Sequence, residues 1–421
     1  MPNGSFFCHR LGLPSAIMKM HSAIRVILLT VFLNSVSFGI IIPVIPQLLI
    51  ELGHIDVVEA SLWGGGLSFA YAGAAFLFAP IVGNLSDRIG RRPVLLFSIA
   101  ALAVNYSILG LAPSITWLMA GRILAGISAS CHGVAAAWIS DTTAKHLRSK
   151  AFGAIGAAWG MGFVCGPAIG GMLGSIDLRL PFFIAAIMAC LNFLTAWLAL
   201  PETLRPEHRR PFRWWRANLI GSCHELRHSP QTIIFLCVVV CYQLAYNANP
   251  QAWSYYAILK FGWTGKEIGF SLMAVGLLIA VNAGFLIQPI VRRVGEHKAT
   301  CVGLLLGATG FIGFAFAANQ WMLVAFILPW SFLALIMPGL RALLSNAVGE
   351  ERQGALHGAI SSAQSLTMMA SPLVMTQLFY QFSSPVSPLF FPGAPFLAAG
   401  ALLLLSLGLL HLSGRRQSQL H

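Results

Sequence analysis

The chain has 421 residues, of which 57% are hydrophobic and only 9% charged, and its formal net charge is +13. A soluble globular domain contains about 25% charged residues, so water cannot be the main solvent of this protein. The basic residues lie in short segments between long apolar stretches, which indicates membrane topology and argues against a nucleic-acid partner.

Twelve apolar windows follow one another along the chain, and each is long enough to cross a hydrocarbon core of roughly 30 Å as a helix. Six precede a polar break, at 26–49, 61–83, 93–112, 117–139, 151–173 and 181–200. Six follow it, at 232–257, 268–291, 299–318, 321–344, 355–379 and 394–412. The pattern predicts an all-α membrane protein with twelve transmembrane helices in two six-helix bundles.

The basic residues also predict the orientation of these helices. With the N-terminus inside, 22 of the 26 Lys and Arg residues fall on the inner side, which is where short loops concentrate them. The first apolar window is too long for a signal peptide, so we expect a multi-pass protein of the inner membrane with both termini cytoplasmic. The predicted parts are a leader at 1–25, an N-terminal bundle at 26–200, a central cytoplasmic loop at 201–231, a C-terminal bundle at 232–412 and a cytoplasmic tail at 413–421.

The loop after the second predicted helix combines one acid with three arginines. Its sequence is Gly83-Asn84-Leu85-Ser86-Asp87-Arg88-Ile89-Gly90-Arg91-Arg92. An acid and arginines at such a turn can form charge-assisted hydrogen bonds and cap helix ends. We therefore predict a gate that must break when the two halves of the protein rock. The residues assigned to it are Gly83, Asp87, Arg88, Gly90, Arg91 and Arg92.

The fourth predicted helix contains an arginine, Arg122, inside the apolar window. A charged side chain in a membrane helix costs roughly 2.5–3.5 kcal/mol on insertion scales, so Arg122 should face a polar cavity and have a partner. The alternative is a structural arginine whose side chain snorkels to the outer interface.

The fifth predicted helix is rich in glycine and contains one proline. Glycines remove side chains from one helix face and allow close helix approach, while proline breaks an internal hydrogen bond and bends the helix. Generic packing of small residues would explain two or three of these positions but not the whole spacing. The residues are Gly153, Gly162, Gly166, Pro167, Gly170 and Gly171.

The loop sequence from Gly83 to Arg92 resembles the signature of the major facilitator superfamily, and Arg292 to His297 echoes it in the second half. The fifth-helix pattern is similar to a motif of the exporting, antiporter branch. Further likeness to the tetracycline/proton antiporters covers nearly the whole chain. The resemblance implies the major facilitator fold, with substrate held between the two bundles. It also implies that Asp141, at the end of the fourth helix, supplies a partner carboxylate to the gate.

The same resemblance exposes a departure at two positions. Where the tetracycline antiporters have aspartates, this chain has Asn34 in the first helix and Asn105 in the third. An amide cannot titrate, so the candidates for proton coupling are His132, Arg122 and Asp141. Histidine titrates near neutrality and could carry a proton, although a lone helix histidine is more commonly hydrogen-bonded within a bundle.

Polar and aromatic residues projected toward a central cavity form the predicted substrate site. Amides would hydrogen-bond a polar, largely uncharged ligand, and rings would stack on its planar parts. The alternative is that these amides form hydrogen bonds between helices. The candidates are Asn34, Phe38, Asn105, Gln243, Asn247, Asn282 and Gln364.

These features predict a secondary transporter that exports a drug-like organic compound, with tetracycline as a candidate, by proton-coupled alternating access. The alternatives are an uncoupled or uptake carrier for a small metabolite, and a non-transporting membrane sensor or assembly factor. We expect a monomer in the lipid bilayer that binds a small organic substrate and a proton or another coupling ion. We expect no enzymatic activity, no cofactor and no metal.

Overall fold

Backbone groups inside a bilayer must be hydrogen-bonded within the protein, and a helix does this for every residue of a spanning segment. The computed structural model describes residues 15–129, 131–204, 206–209, 230–348 and 353–418. Within these ranges the chain forms helices and turns, and no strand is present. Most of the predicted leader and central loop, and the end of the predicted tail, lie outside the described residues.

The first bundle contains six helical spans, which we number in chain order. They are α1 (Ser15–Ile41 and Ile45–Gly53), α2 (Val57–Ile89), α3 (Arg91–Leu111), α4 (Ile115–Ala129 and Cys131–Thr142), α5 (Arg148–Gly174) and α6 (Leu180–Ala199). The chain turns between the two parts of α1 next to Pro43 and Pro46, which have no backbone N–H to donate. Short 3-10 turns lie at Lys145–Leu147 and Pro206–His208.

The second bundle also contains six spans, and several of them are interrupted. They are α7 (Pro230–Tyr246 and Ala248–Phe261), α8 (Gly265–Val281, a π turn at Asn282–Leu286, and Ile287–Val294), α9 (Glu296–Ala315), α10 (Gln320–Ala325, Ile327–Ser331, a 3-10 turn at Phe332–Leu335, and Ile336–Ala347), α11 (Gln353–Ser383) and α12 (Ala394–Ser418). The interruptions in α7, α8 and α10 were not predicted from hydropathy, which averages over them.

Eleven of the described spans are long and apolar enough to cross a membrane. The twelfth, α11, has 31 residues and is also long enough. The prediction of an all-α membrane protein is confirmed, and the count of twelve is consistent with it. The helix α2 extends beyond its predicted window at both ends, because Asp56 caps its first turn by accepting from the Glu59 amide at 2.7 Å and Gly90 ends it with a positive φ of 116°.

Packing within each bundle is extensive, and contact between the bundles is restricted to few helices. The first bundle is held by the pairs α1–α5, α1–α6, α2–α4 and α3–α6, and the second by α7–α11, α7–α12, α9–α10 and α9–α12. The main contacts between the bundles are α2–α11, α5–α8 and α2–α7. These three pairs therefore border whatever space the two bundles enclose.

Candidate functional site

The interface between the bundles has two ends, which we call the basic end and the opposite end. The basic end holds the loop from Asp87 to Arg92 and the end of α8 at Arg292 and Arg293. The opposite end holds the start of α2 and the start of α8 at Gly265. Because α2 and α5 each run from one end to the other, their contacts with the second bundle report the distance between the bundles at each level.

At the opposite end the bundles are in close contact through glycines. A side chain on Gly171 of α5 would collide with the backbone of Gly265 in α8, and one on Gly269 would collide with the backbone of Pro167. In the same way, a side chain on Gly64 of α2 would collide with the Tyr255 ring of α7. Small residues thus let the two bundles meet backbone to backbone at this end.

The contact weakens along the same helices toward the basic end. In α2, a Cβ built on Gly73 would lie 3.9 Å from the Met369 sulfur, and one on Gly83 would have no neighbour within 4 Å in the described part of the chain. In α5, Gly160 and Gly153 likewise have open space around them among the described residues. The bundles therefore separate toward the basic end, and the space between them opens in that direction.

A cavity of about 240 Å³ lies between the bundles at middle depth. Residues of α1 to α5 supply most of its wall, and Met368 of α11 supplies one side chain from the second bundle. Its lining residues are Asn34, Ser35, Phe38, Ile41, Tyr71, Leu102, Asn105, Tyr106, Arg122, Ala125, Ala129, Trp159 and Met368. Three of the seven predicted substrate residues, Asn34, Phe38 and Asn105, are among them.

The two amides that depart from the antiporter pattern differ in their bonding. The Asn34 side-chain oxygen accepts a hydrogen bond from the Asn192 amide of α6 at 3.2 Å. Asn105 is only 1% exposed, and both polar atoms of its side chain lack a hydrogen-bond partner among the described residues. Leaving a buried amide unpaired costs about 1–3 kcal/mol. Asn105 therefore contributes an amide to the wall of the cavity that is unpaired among the described residues.

Arg122 lines this cavity and lies seven residues after α4 begins at Ile115. It is half-buried, and Tyr71, Tyr106 and Tyr255 lie within electrostatic range of its guanidinium group. Both ion pairs in the described ranges lie at the basic end, and neither involves Arg122. Arg122 also forms no hydrogen bond with any described residue. The cavity predicted for this arginine is present, and a protein partner for its charge is not among the described residues.

The predicted cavity residues of the second bundle lie elsewhere. Asn282 is buried and donates to the Ser331 hydroxyl of α10 at 2.6 Å, so its amide joins two helices within one bundle. Asn247 lies at the interruption of α7 and donates to the Gln243 backbone oxygen at 2.8 Å. Neither residue, nor Gln364 of α11, lines the cavity. Asn282 therefore forms the hydrogen bond between helices that was the alternative for these amides, whereas Asn247 bonds to the backbone of its own helix.

The glycines of α5 serve two different contacts. Gly162, Gly166 and Gly170 face α1, where a Cβ on Gly162 would lie 2.6 Å from the Phe32 backbone oxygen and one on Gly166 would lie 2.7 Å from that of Val36. Gly171 faces α8 of the second bundle, and Pro167 touches both neighbours. One face of α5 therefore packs against its own bundle, and the adjacent face packs against the other bundle. Gly153 has no close contact with any described residue.

Three of the predicted gate residues, Asp87, Arg91 and Asp141, form a compact cluster at the basic end. Arg91 pairs with Asp87 through its Nη1 atom at 2.6 Å and with Asp141 through its Nε atom at 3.3 Å. Its Nη1 atom also donates to the Ser86 hydroxyl at 2.6 Å. The structure thus brings Asp87, Arg91 and Asp141 together, all within the first bundle, and the cluster does not bridge the two bundles in this conformation.

The remaining residues of this loop have distinct surroundings. Arg88 is exposed, and Gly83 has open space around it. The Arg92 guanidinium donates to the Trp197 backbone oxygen of α6 at 2.7 Å. Gly90 adopts its left-handed backbone beside the Glu202 carboxylate, where a side chain would collide. The chain turns sharply there from α2 into α3.

Sequence reasoning missed the role of Glu202. Its carboxylate accepts from the backbone amides of Arg91 at 2.9 Å and Arg92 at 3.2 Å, which are the first two residues of α3. A carboxylate at this position satisfies orphan donors and complements the helix dipole. Because Glu202 lies more than 100 residues away in the sequence, no local pattern could identify it.

The candidates for proton coupling fall in different places. Asp141 belongs to the basic cluster and is exposed, whereas Arg122 lines the cavity. His132 lies in the Cys131–Thr142 part of α4, and its side chain is outside the described part of the structure. Every acidic residue in the described ranges lies at a helix end or in a loop, as the sequence predicted.

A second, larger concavity lies on the periphery of the first bundle. It measures about 500 Å³ and is bordered by α3, α6 and the start of α4, with mostly apolar side chains such as Val104, Leu111 and Trp117. These three side chains are exposed on the outer surface, which is where lipid covers a membrane protein. It therefore resembles a lipid-facing groove more than a binding site for a polar compound.

Comparison with known proteins relates this architecture to a transporter family. The sequence profile of the Major Facilitator Superfamily matches residues 27–372 and 234–419. The chain is 36% identical to the class C tetracycline resistance protein of Escherichia coli over 362 residues, which cover 86% of this chain and 91% of that protein. It is also 36% identical to the class G tetracycline resistance protein of Vibrio anguillarum over 367 residues, with the same two shares covered. The solved structure of a human organic anion transporter, TETRAN, has a TM-score of 0.69 at 24% identity and covers 94% of this chain and 100% of its own.

Proposed function

The chain belongs to the Major Facilitator Superfamily, and from this premise we propose that it exports an amphipathic organic compound, with tetracycline as the first candidate. The observation that carries the proposal is its likeness to tetracycline resistance proteins over most of both chains, at up to 36% identity. The cavity between the bundles supports it, because ligands in these transporters bind near the midplane at the interface of the two repeats.

Transport would proceed by alternating access of this cavity. In the state described above, the bundles are closed at the opposite end and apart at the basic end. The excess of Lys and Arg at the basic end supports a cytoplasmic position for it, so this would be the state that receives substrate from the cytoplasm. Rocking of the bundles would then close the basic end and release the substrate outside.

The basic cluster would act as the gate of this cycle. Asp87, Arg91 and Asp141 satisfy one another inside the first bundle, so the open state leaves none of these three charges unpaired. Closure of the basic end would bring the second bundle toward Gly83 and Gly153, which have free space to receive it. Arg88 would remain available for contacts in the closed state.

Proton coupling completes the proposal. His132 and Arg122 are the candidates on α4, and Asp141 would contribute through the gate, where it pairs with Arg91. One observation favours uncoupled transport as a second candidate, since no carboxylate is among the described residues that line the cavity. The two candidates differ in whether substrate movement is accompanied by proton movement.

Everted membrane vesicles that contain the protein test both candidates. Once respiration has acidified the lumen, an exporter with proton coupling should take up tetracycline and release protons from the lumen, which raises the fluorescence of a quenched acridine dye. Vesicles without the protein provide the control. Tetracycline uptake without proton release would favour uncoupled transport, and no uptake of tetracycline would reject this substrate.

A further inference from the structure

The cavity contains a positive charge that the described part of the protein does not neutralise. Among the described lining residues, Arg122 is the only charged side chain, and no carboxylate faces it. An arginine in a membrane protein normally pairs with an acid, with backbone oxygens or with a ligand. The described protein groups do not supply such a partner for Arg122. A molecule bound inside the cavity could therefore supply it.

A second, independent feature points to the same place. Asn105 lines the same cavity and is more than nine-tenths buried. Neither its amide nitrogen nor its amide oxygen has a hydrogen-bond partner in the described ranges. Its side-chain oxygen rests against Gly121, next to Arg122, where a Cβ would lie 3.0 Å away. The unpaired amide and the unpaired guanidinium group therefore belong to neighbouring parts of one wall.

On the basis of the proposed export function, we infer that this wall is a subsite for the anionic group of an organic substrate. Arg122 supplies the counter-charge, and a carboxylate or similar oxyanion would accept charge-assisted hydrogen bonds from its guanidinium group. The Asn105 amide nitrogen donates a further hydrogen bond. The rings of Phe38 and Tyr71, whose centroids are 6.3 Å apart, border the space where the planar part of the substrate would lie.

The same wall disfavours a cationic substrate. A cation would meet the like charge of Arg122, and the described lining contains no acid to pair with it. Like charges in a site of low dielectric repel strongly, because little water is present to screen them. The expected order of affinity is therefore an anion first, a neutral molecule second and a cation last.

Three matched fluorescent probes test this order on the purified full-length protein in lipid nanodiscs. They are 9-anthracenecarboxylate, the neutral 9-anthracenecarboxamide and the cationic 9-aminomethylanthracene, which share one planar ring system. We expect the carboxylate to bind at least about tenfold more tightly than the ammonium compound, since hydrogen bonds to charged groups are worth a tenfold factor or more. Equal or tighter binding of the ammonium compound would overturn the inference.

Two variants locate the effect. Arg122→Gln should weaken binding of the carboxylate about tenfold or more and leave binding of the carboxamide within about twofold. Arg292→Gln removes the same charge from an exposed site at the basic end and should leave all three affinities unchanged. If Arg122→Gln weakens all three probes equally, its effect is structural and the inference is wrong.

A third variant keeps the volume of the cavity. Asn105→Asp places a carboxylate on the same wall, so it should weaken binding of the carboxylate probe and strengthen binding of the ammonium probe. An unchanged preference in this variant would contradict the inference even if Arg122→Gln did not fold. A protein that exports tetracycline but shows no charge preference would disprove the subsite alone. One that prefers the carboxylate but exports neither it nor tetracycline would disprove export alone.

Discussion

The two ends of the interface between the bundles are built from the same helices, but by different chemistry. At the opposite end, Gly171 and Gly64 bring backbone and ring atoms of the two bundles into direct contact, and no ion pair is present there among the described residues. At the basic end, charges are abundant, yet the pairs of Arg91 with Asp87 and Asp141 stay within the first bundle. Close packing therefore holds the closed end, while electrostatics organise the open one.

This difference explains how the bundles can be apart at one end without leaving the charges of the basic cluster unpaired. The basic cluster is complete with the bundles apart, so the open state requires no ion pair with the second bundle. The closed end depends on shape alone, and a change of one methyl group can disturb it. Substitutions at the two ends should therefore fail in different ways.

The largest effect is expected at the closed end. Gly171→Val would push a branched side chain into the backbone of Gly265 and Gly269, so the bundles could not meet there. We expect the initial rate of substrate uptake into everted vesicles to fall more than about tenfold, because overpacking of a close contact costs about 1–3 kcal/mol. Gly408→Val in α12 makes the same substitution where a Cβ has no described neighbour within 4 Å, and this variant should retain transport. Normal transport by Gly171→Val would show that this end does not close by backbone contact.

The next effect tests the open end. Asp87→Asn removes the charge that faces Arg91 at 2.6 Å while keeping the shape of the side chain. We expect loss of transport with protein still present in the membrane at the normal level. The Asp87 side chain is 37% exposed, and an ion pair of such a solvated carboxylate contributes about 1 kcal/mol or less to stability. Transport in vesicles and the amount of protein are measured together. Glu51→Gln, which removes an exposed carboxylate at the opposite end, serves as the control. Full activity of Asp87→Asn would remove the gating role.

The sequence could predict features of the two ends and of the cavity that depend on local residues. It could not predict those that depend on contacts between distant helices. The charge of Arg122 predicted a cavity, because an arginine in an apolar window needs one. The glycines of α5 predicted close helix contacts, but not that Gly162 and Gly171 face different bundles. The amide of Asn282 was assigned to the cavity, and the structure places it against Ser331 of the same bundle. Hydropathy alone does not distinguish an amide that lines a cavity from one that forms a hydrogen bond between helices.

A smaller effect is expected inside the first bundle, at the residue that sequence analysis missed. Glu202→Gln keeps one acceptor for the amides of Arg91 and Arg92 but removes the negative charge at the start of α3. Loss of a helix cap costs about 1 kcal/mol, so thermal unfolding in detergent should occur at a slightly lower temperature. Glu207→Gln, a nearby exposed acid, should leave the unfolding temperature unchanged. If both variants unfold alike, the cap contributes nothing to stability.

The smallest effect distinguishes the open end from the closed one on a single helix. Gly153 of α5 has free space around it among the described residues, so Gly153→Ala should stabilise the folded protein by about 0.5–1 kcal/mol through the higher helix propensity of alanine. Gly166→Ala makes the same change where a Cβ would lie 2.7 Å from the Val36 backbone oxygen, and it should lower the unfolding temperature. Transport by Gly153→Ala should nevertheless slow, because closure of the basic end brings the second bundle toward this position. An unchanged rate would mean that the bundles do not approach each other at Gly153, and that the basic end closes elsewhere along α5.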